Sequence, residues 1–240
     1  MKPQRLSPQF WRRDAYVLRK LAGCVAAIAE RFHNGSLTGA LARGDNVVDL
    51  GAGAAPYRAL FDRSGIDYIR CDLDAGSAIV INPGTPVPLR AQSAKMVVSF
   101  QVLEHVWDLD WYLSEVRRLL APGGALVLST HGTWPYHPHP TDFRRWTRDG
   151  LTLELTTRGF VVQEMTGLVG PLAWTTQFRA LGFHRLLSAI PVIGSPLAAL
   201  VCAAMNLRMF IEDSVTPAEW IDTNAAVYIL VARKDDTRLP

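Results

Sequence analysis

The 240-residue sequence contains little cysteine: Cys24, Cys71 and Cys202 lie far apart and form no C-x-x-C pair. An odd number of widely spaced cysteines argues against a disulfide scaffold or a structural zinc site and favours a reducing compartment. The first residues have no continuous apolar run, so we expect no secretory signal and predict a cytoplasmic protein. With 49% hydrophobic residues and a net charge of only +3, the composition excludes an intrinsically disordered chain.

The positive charge is concentrated at the N-terminus. Residues 1–20 contain six cations and one anion, whereas the other 220 residues contain 19 cations and 21 anions. Such charge runs are most often solvated helix ends; the alternatives are contacts with anionic lipid, an anionic substrate or nucleic acid. Because the excess is confined to one end of the chain, we do not expect a nucleic-acid partner.

Short apolar runs alternate with helical stretches along most of the chain. Residues 10–33 have the spacing of an amphipathic helix. The predicted strands are Asn46–Leu50, Asp67–Asp72, Met96–Phe100, Ala125–Ser129, Phe160–Met165 and Ala225–Val231. Between them we predict helices at Ala54–Arg63 and at Asp108–Leu120, the second with Asp108 as its N-cap. This alternation indicates an α/β domain with a mostly parallel sheet and helices on both faces.

A glycine turn follows the first predicted strand, within the stretch VVDLGAG at 47–53. Gly51 and Gly53 permit a sharp turn and let a ligand approach the backbone with no Cβ in the way. Asp72 ends the next predicted strand, where a carboxylate can bind the two ribose hydroxyls of a nucleoside. Pro56 stands where the dinucleotide motif G-x-G-x-x-G needs its third glycine, so the pattern favours a nucleoside without a pyrophosphate.

The sequence resembles the class I S-adenosylmethionine-dependent methyltransferases in four motifs: DLGAG, YIRCDLD, SFQVLEHV and LLAPGGALVLST. The resemblance covers residues 45–165 and the strand near 225–231. It implies a Rossmann-like sheet of seven mostly parallel strands with an antiparallel last strand, and S-adenosylmethionine as cofactor. The block PYHPHPTDFRRWTRDGL also resembles a subgroup of small-molecule and cell-surface glycan methyltransferases.

The resemblance also implies a set of cofactor-binding residues. The acid of DLGAG lies near the methionine amino group, the glycine turn passes under the methionine and ribose, and the acid after the second strand binds the ribose. The implied residues are Asp49, Gly51, Ala52, Gly53, Asp72, Leu73, Gln101 and Val102. These enzymes often have an acid after the third strand for the adenine amino group. This chain has no Asp or Glu between Asp74 and Glu104, so Asn82 is the nearest polar replacement.

The loop after Ala125–Ser129 is rich in histidine and proline. Methyl transfer to a hydroxyl or amine requires an aligned nucleophile and a proton acceptor, most often histidine. We expect His137 or His139, oriented by Asp142, to be the base. The alternative is a proline-stiffened lid whose histidines only form hydrogen bonds. His105 is a further candidate base, and capping of the next helix is its alternative role.

We predict no metal site. Some quinone-pathway O-methyltransferases use a Glu-x-x-Glu-His patch for a divalent metal, but Gln101 replaces the first acid here. The histidines of the loop do not have a standard zinc spacing.

An uncharged segment of 22 residues, Leu186–Leu207, precedes the last predicted strand. It is long enough to span a bilayer, but prolines and glycine interrupt it, so we predict two short helices. The run is flanked by Arg179, Arg185 and Arg208. We therefore expect residues 172–211 to contact a membrane surface, a second subunit or a lipid-linked substrate; packing against the core is the alternative.

The predicted organisation has three parts: an N-terminal helical cap over the cofactor site (1–44), a methyltransferase core (45–166 and 224–234) and an apolar helical insertion (167–223). The predicted function is O-methylation of a sugar, lipid-linked or other small-molecule acceptor in the cytoplasm, with peripheral attachment to the inner membrane surface as an option. The alternatives are N-methylation of a small molecule and a non-catalytic nucleoside-binding partner subunit.

Overall fold

A single seven-stranded sheet forms the centre of the computed structural model, which describes residues 5–63 and 65–235. The strands are β1 (Asp45–Leu50), β2 (Ile66–Asp72), β3 (Ile79–Val80), β4 (Ala94–Phe100), β5 (Leu120–His131), β6 (Phe160–Leu168) and β7 (Val227–Lys234). Their order is β3-β2-β1-β4-β5-β7-β6, and β7 alone runs antiparallel to its neighbours. This confirms the predicted Rossmann-like α/β sheet with an antiparallel last strand.

Helices cover both faces of the sheet. They are α1 (Ala15–His33), α2 (Arg58–Phe61), α3 (Leu109–Leu119), α4 (Arg148–Thr157), α5 (Pro171–Leu187), α6 (Gly194–Val215) and α7 (Ala218–Thr223), with a 3-10 turn at Leu103–His105. Val47 packs in one apolar cluster with Leu21 and Phe32 of α1, whereas Val48 packs in another with Leu113 of α3. A strand covered on both sides needs apolar side chains on both faces, which Val47 and Val48 supply here.

Two predicted helices near the N-terminus are shorter in the structure. The first begins at Ala15 rather than residue 10, and residues 1–4 of the predicted cap lie outside the described residues. The predicted helix Ala54–Arg63 contains only the single turn α2, because Pro56 lacks an N–H and Ala55 has a left-handed φ of 47°. By contrast, Asp108 caps α3 as predicted, since its carboxylate accepts the N–H of Trp111 at 2.9 Å.

The apolar insertion contains two long helices rather than two short ones. The predicted break lies at the turn around Pro191, between α5 and α6. The preceding strand β6 runs to Leu168, two residues past the expected end of the core. Within the described residues, α6 is the one helix long and apolar enough to cross a membrane, and 28% of its most apolar window is buried.

Buried polar side chains join the start of α1 to α6. Asn206, 1% exposed, accepts the N–H of Tyr16 at 3.0 Å and donates to the carbonyl of Arg12 at 2.9 Å. Asp213 accepts the Tyr16 hydroxyl at 2.8 Å and the N–H of Gly170 at 2.9 Å. Because buried polar groups need partners, these bonds fix the N-terminal segment relative to the insertion.

Candidate active site

A cavity of about 1520 Å³ opens where β1, β2, β4 and β5 end. Pockets for one small molecule are typically about 300–1,000 Å³, so this one has room for two ligands side by side. Its wall comes from the strand ends, the histidine loop, α1 and α5. All of the predicted site residues except Asn82 and Asp142 line it.

The glycine turn after β1 needs its glycines for two different reasons. Gly51 has a φ of +82°, and a Cβ there would lie 2.5 Å from a methyl carbon of Val102. The loops after β1 and β4 therefore approach too closely for any other residue at this position. Gly53 has a φ of +49°, and a Cβ there would meet nothing within 4 Å. Its backbone is thus open to a ligand.

Asp49 provides a buried carboxylate under this turn. It is 3% exposed, lines the cavity and accepts the hydroxyl of Tyr68 at 2.5 Å. Burial raises the pKa of Asp49 to about 7, although the Tyr68 hydrogen bond acts in the opposite direction. A cationic group in the cavity would favour the ionised form.

Asp72 lies at the end of β2 and faces the same turn. Its Oδ2 accepts the N–H of Gly53 at 2.5 Å, and its Oδ1 accepts the N–H of Leu73 at 2.7 Å. Leu73 lines the cavity and is 53% exposed. Asn82 does not belong to the wall, contrary to the expectation for the adenine end. It lies beyond the two-residue strand β3 and is exposed, whereas its neighbour Ile81 is buried and lines the cavity.

Gln101 and Val102 form the wall at the end of β4. Gln101 has a φ of 58°, which is uncommon for a residue other than glycine. Its N–H donates to the carbonyl of Ser129 at 2.8 Å, and its side-chain amide donates to the Ser129 hydroxyl at 3.2 Å. These bonds to β5 hold the residue in place beside the glycine turn.

The predicted catalytic histidines lie together on the far side of the cavity. The ring of His105 lies 4.9 Å from that of His137 and 6.1 Å from that of His139. Asp142 contacts His137 as expected: its Oδ2 accepts the backbone N–H at 2.9 Å and lies 3.4 Å from Nδ1. No comparable contact joins Asp142 to His139 in the described part of the chain. Arg145 also binds the Asp142 carboxylate and holds its pKa well below the usual range.

Two buried residues in this cluster were not predicted as site residues. Glu104 is fully buried behind the wall, and His131, 4% exposed, lies in it at the end of β5. Their side chains meet, with His131 Nε2 lying 3.3 Å from Glu104 Oε1. The sequence signal was weak, because the two residues lie 27 positions apart and belong to no single motif.

The cavity mouth is cationic, and most of its charged residues were also missed. They are Arg5, Arg12, Arg13, His184 and Arg185, accompanied by the single acid Asp14. The hints in the sequence were the cationic run at the N-terminus and Arg185 beside the apolar segment. Neither could reveal that the two would line one cavity.

These features define a nucleoside-cofactor domain with a second ligand space. The family model of the methyltransferase domain matches residues 14–183. The chain therefore belongs to the methyltransferase domain family.

A Mycolicibacterium smegmatis protein, named as a probable S-adenosylmethionine-dependent methyltransferase, is 36% identical over 107 residues. These are 42% of this chain and 39% of that protein. The matched region thus spans about two fifths of the length of the curated relatives that this chain resembles.

Two solved structures share the fold. The cyclase SpnF has a TM-score of 0.55 at 16% identity, covering 87% of this chain and 80% of its own. Phosphoethanolamine N-methyltransferase 2 of Haemonchus contortus, solved with S-adenosylmethionine, has a TM-score of 0.53 at 13% identity, covering 98% and 60%. Because one of the two is a cyclase, the fold alone does not define the reaction.

The cavity residues fit S-adenosylmethionine. Asp49 offers a buried carboxylate that would suit its ammonium group, and Asp72 offers an acceptor at the end of β2 that would suit its ribose hydroxyls. Its methionine chain must pass close to a backbone, and Gly53 offers one with no obstruction within 4 Å. When bound, the cofactor supplies an electrophilic methyl group on sulfur.

Replacing Gly51 by alanine should weaken cofactor binding. The left-handed backbone costs about 1–2 kcal/mol for alanine, and the new Cβ must also displace Val102. We expect at least about a tenfold increase in the Kd of S-adenosylhomocysteine, measured by calorimetry. Gly84→Ala is the matched control, because Gly84 has the same φ of +82° but open space around its Cβ. A folded Gly51→Ala protein with unchanged affinity would contradict this account.

Cofactor affinity should rise with pH as Asp49 ionises. The pKa of Asp49 is about 7 in the ligand-free protein, so the carboxylate is mostly protonated at pH 5.5. A cationic α-amino group, which stays protonated below about pH 7.7, binds the ionised form. We therefore expect affinity for S-adenosylhomocysteine to increase about tenfold between pH 5.5 and 7. Asp49→Asn should bind more weakly and lose this rise; an equally steep profile in the variant would disprove the assignment.

Proposed function

We propose that this chain is an S-adenosylmethionine-dependent methyltransferase that methylates an oxygen of an anionic small-molecule or lipid-linked acceptor. The cavity carries the proposal: its glycine turn and carboxylates fit the cofactor, and four histidines line the same cavity near the ends of β4 and β5. In-line transfer requires both molecules in one water-poor site. The glycan-like loop sequence supports a sugar-containing acceptor.

The charge at the cavity mouth supports an anionic acceptor. Arg13 and Arg185 line the cavity from two sides, the segment before α1 and α5, whereas Arg12 already pairs with Asp14. Guanidinium groups bind phosphate and carboxylate groups with paired hydrogen bonds. An acceptor that carries a phosphate or carboxylate group in addition to the hydroxyl group that is methylated would fit this arrangement.

His105 is the best-placed proton acceptor. Its Nδ1 donates to the carbonyl of Thr141 at 2.5 Å, so Nε2 is the basic nitrogen. Burial lowers the pKa of His105 and keeps it neutral near pH 7. When an acceptor hydroxyl is methylated, Nε2 of His105 would take up its proton. His137 is the second candidate base, because Asp142 Oδ2 lies 3.4 Å from its Nδ1 and would orient its ring.

Methyl transfer can be tested with ¹³C-methyl cofactor, a polar lipid extract and a mixture of soluble sugar phosphates. We expect label in one acceptor fraction and a methyl carbon shift typical of an ether. His105→Gln should reduce kcat by about 10²-fold while the Kd of S-adenosylhomocysteine stays unchanged. A nitrogen-bound methyl would support the N-methyltransferase alternative. No transfer by a protein that binds the cofactor would support the non-catalytic subunit instead.

An apolar tip beside the mouth supports contact with a membrane. The end of α5 and the turn before α6 expose three apolar side chains: Leu186 at 70%, Val192 at 96% and Ile193 at 61%. Arg185, which lines the mouth, directly precedes this tip, and Arg179 is also exposed on α5. Apolar side chains next to cations are typical of peripheral binding to anionic lipid. A lipid-linked acceptor could then enter the cavity head first from the cytoplasmic surface of the membrane.

Mutation of this tip should reduce vesicle binding. We expect the protein to sediment with vesicles that contain anionic lipid. The double variant Val192→Asp/Ile193→Asp should bind these vesicles at least about tenfold more weakly, because two apolar side chains no longer insert into the lipid. Leu153→Asp is the matched control, since Leu153 is 63% exposed on α4. Equal sedimentation of both variants would contradict the membrane proposal. A dimer that only the tip mutation dissociates would support a subunit interface.

A further inference from the structure

Glu104, His131 and His137 converge on one point beside the cavity. Each offers one ligand atom, and these atoms lie within 4.8 Å of one another. The three come from the turn after β4, the end of β5 and the loop beyond it. We propose that this cluster is a binding site for a divalent transition metal of the zinc type, with one coordination position open to the cavity.

The Glu104 carboxylate is oriented for a ligand that the chain itself does not supply. Its Oε2 accepts the hydroxyl of Thr130 at 2.8 Å, which fixes the carboxylate plane. Its Oε1 is buried, has no hydrogen-bond partner on another described residue and lies 3.3 Å from His131 Nε2. Leaving a buried carboxylate oxygen without a partner is costly. A cation at this position would remove that cost.

A stacking contact holds the imidazole of His131 in place. Trp134 stacks on His131 with ring centroids 4.8 Å apart and planes 10° from parallel, which fixes the imidazole plane. A ring fixed in this way presents its nitrogen in one direction, as an oriented metal ligand does.

A carboxylate stands behind His137, as is common for metal-binding histidines. Asp142 Oδ2 lies 3.4 Å from His137 Nδ1 and accepts the backbone N–H of the same residue. Two hydrogen bonds from Arg145 fix this carboxylate in turn. Such outer partners orient the ring and strengthen the other nitrogen as a ligand.

The ligand set favours zinc over magnesium or calcium. Two imidazoles and one carboxylate leave a fourth tetrahedral position free, the arrangement of catalytic zinc sites, whereas magnesium and calcium prefer oxygen ligands. With ligand bonds of about 2.0–2.1 Å, tetrahedral donor atoms lie about 3.3 Å apart. Glu104 and His131 already have this separation, at 3.3 Å. His137, on a loop, need close by only about 1.5 Å.

The test is metal binding by the untagged full chain, stripped with chelator and titrated with Zn²⁺ against a chromophoric competitor. We expect one ion per chain and, with Co²⁺, the visible absorption of a tetrahedral site. Glu104→Gln and His137→Gln should each weaken Zn²⁺ binding by at least about 10-fold, a typical loss at metal sites. His33→Gln is the control, because His33 is a histidine outside the cavity wall.

Retained binding of S-adenosylhomocysteine shows that each variant is folded. Loss of Zn²⁺ affinity in folded Glu104→Gln and His137→Gln proteins supports the site. If Glu104→Gln fails to fold, His137→Gln decides, since that residue is half-buried on a loop. Absence of stoichiometric Zn²⁺ binding, or equal affinity in the variants, would overturn the proposal. The titration contains neither cofactor nor acceptor, so its result is independent of methyl transfer.

Discussion

The parallel run of β1, β2, β4 and β5 is the constraint on which the site depends. Because their carboxyl ends meet at one edge, the residues after each strand must share one space, however far apart they lie in the sequence. Asp49, Asp72 and His131 therefore line a single cavity. The close approach of the turns after β1 and β4 then requires glycine at position 51, since Val102 occupies the place of a Cβ.

Two buried carboxylates lie at this edge of the sheet, Asp49 in the cavity wall and Glu104 behind it. Burial raises the pKa of both Asp49 and Glu104 to about 7. Asp49 is held by the Tyr68 hydroxyl beside the glycine turn, whereas Glu104 is held by the Thr130 hydroxyl and faces imidazole nitrogens. We propose an ammonium partner for the first and a metal ion for the second, because the first faces the glycine turn and the second faces imidazole nitrogens.

The sequence predicts the parts of the site that one strand and its turn determine. The order acid, Gly-x-Gly and second acid follows from local patterns, so Asp49 and Asp72 could be identified without coordinates. The site beside Glu104 could not, because its members come from three segments whose spacing matches no metal motif. The expectation that Asn82 lines the cavity was not met, for a related reason. The preceding strand β3 has only two residues, and so short a strand gives too little periodicity to predict which of the following side chains faces inward. The lengths of α5 and α6 were not predicted, because the prediction considered only the uncharged segment Leu186–Leu207. In the structure α5 begins before this segment and α6 ends after it, so both helices include charged and polar residues.

The polar contacts between α1 and α6 connect the apolar tip with the cationic mouth. Asn206 of α6 donates to the carbonyls of Phe10 and Arg12, and Gln177 of α5 donates to the carbonyl of Arg13. The backbone that carries the mouth arginines is therefore fixed to the same helix pair that carries the tip. A surface that holds this helix pair would also hold the entrance in a defined orientation. An acceptor with an anionic head and an apolar tail could then contact both surfaces at once. Its tail would lie next to the apolar tip, and its charged head would lie next to the arginines.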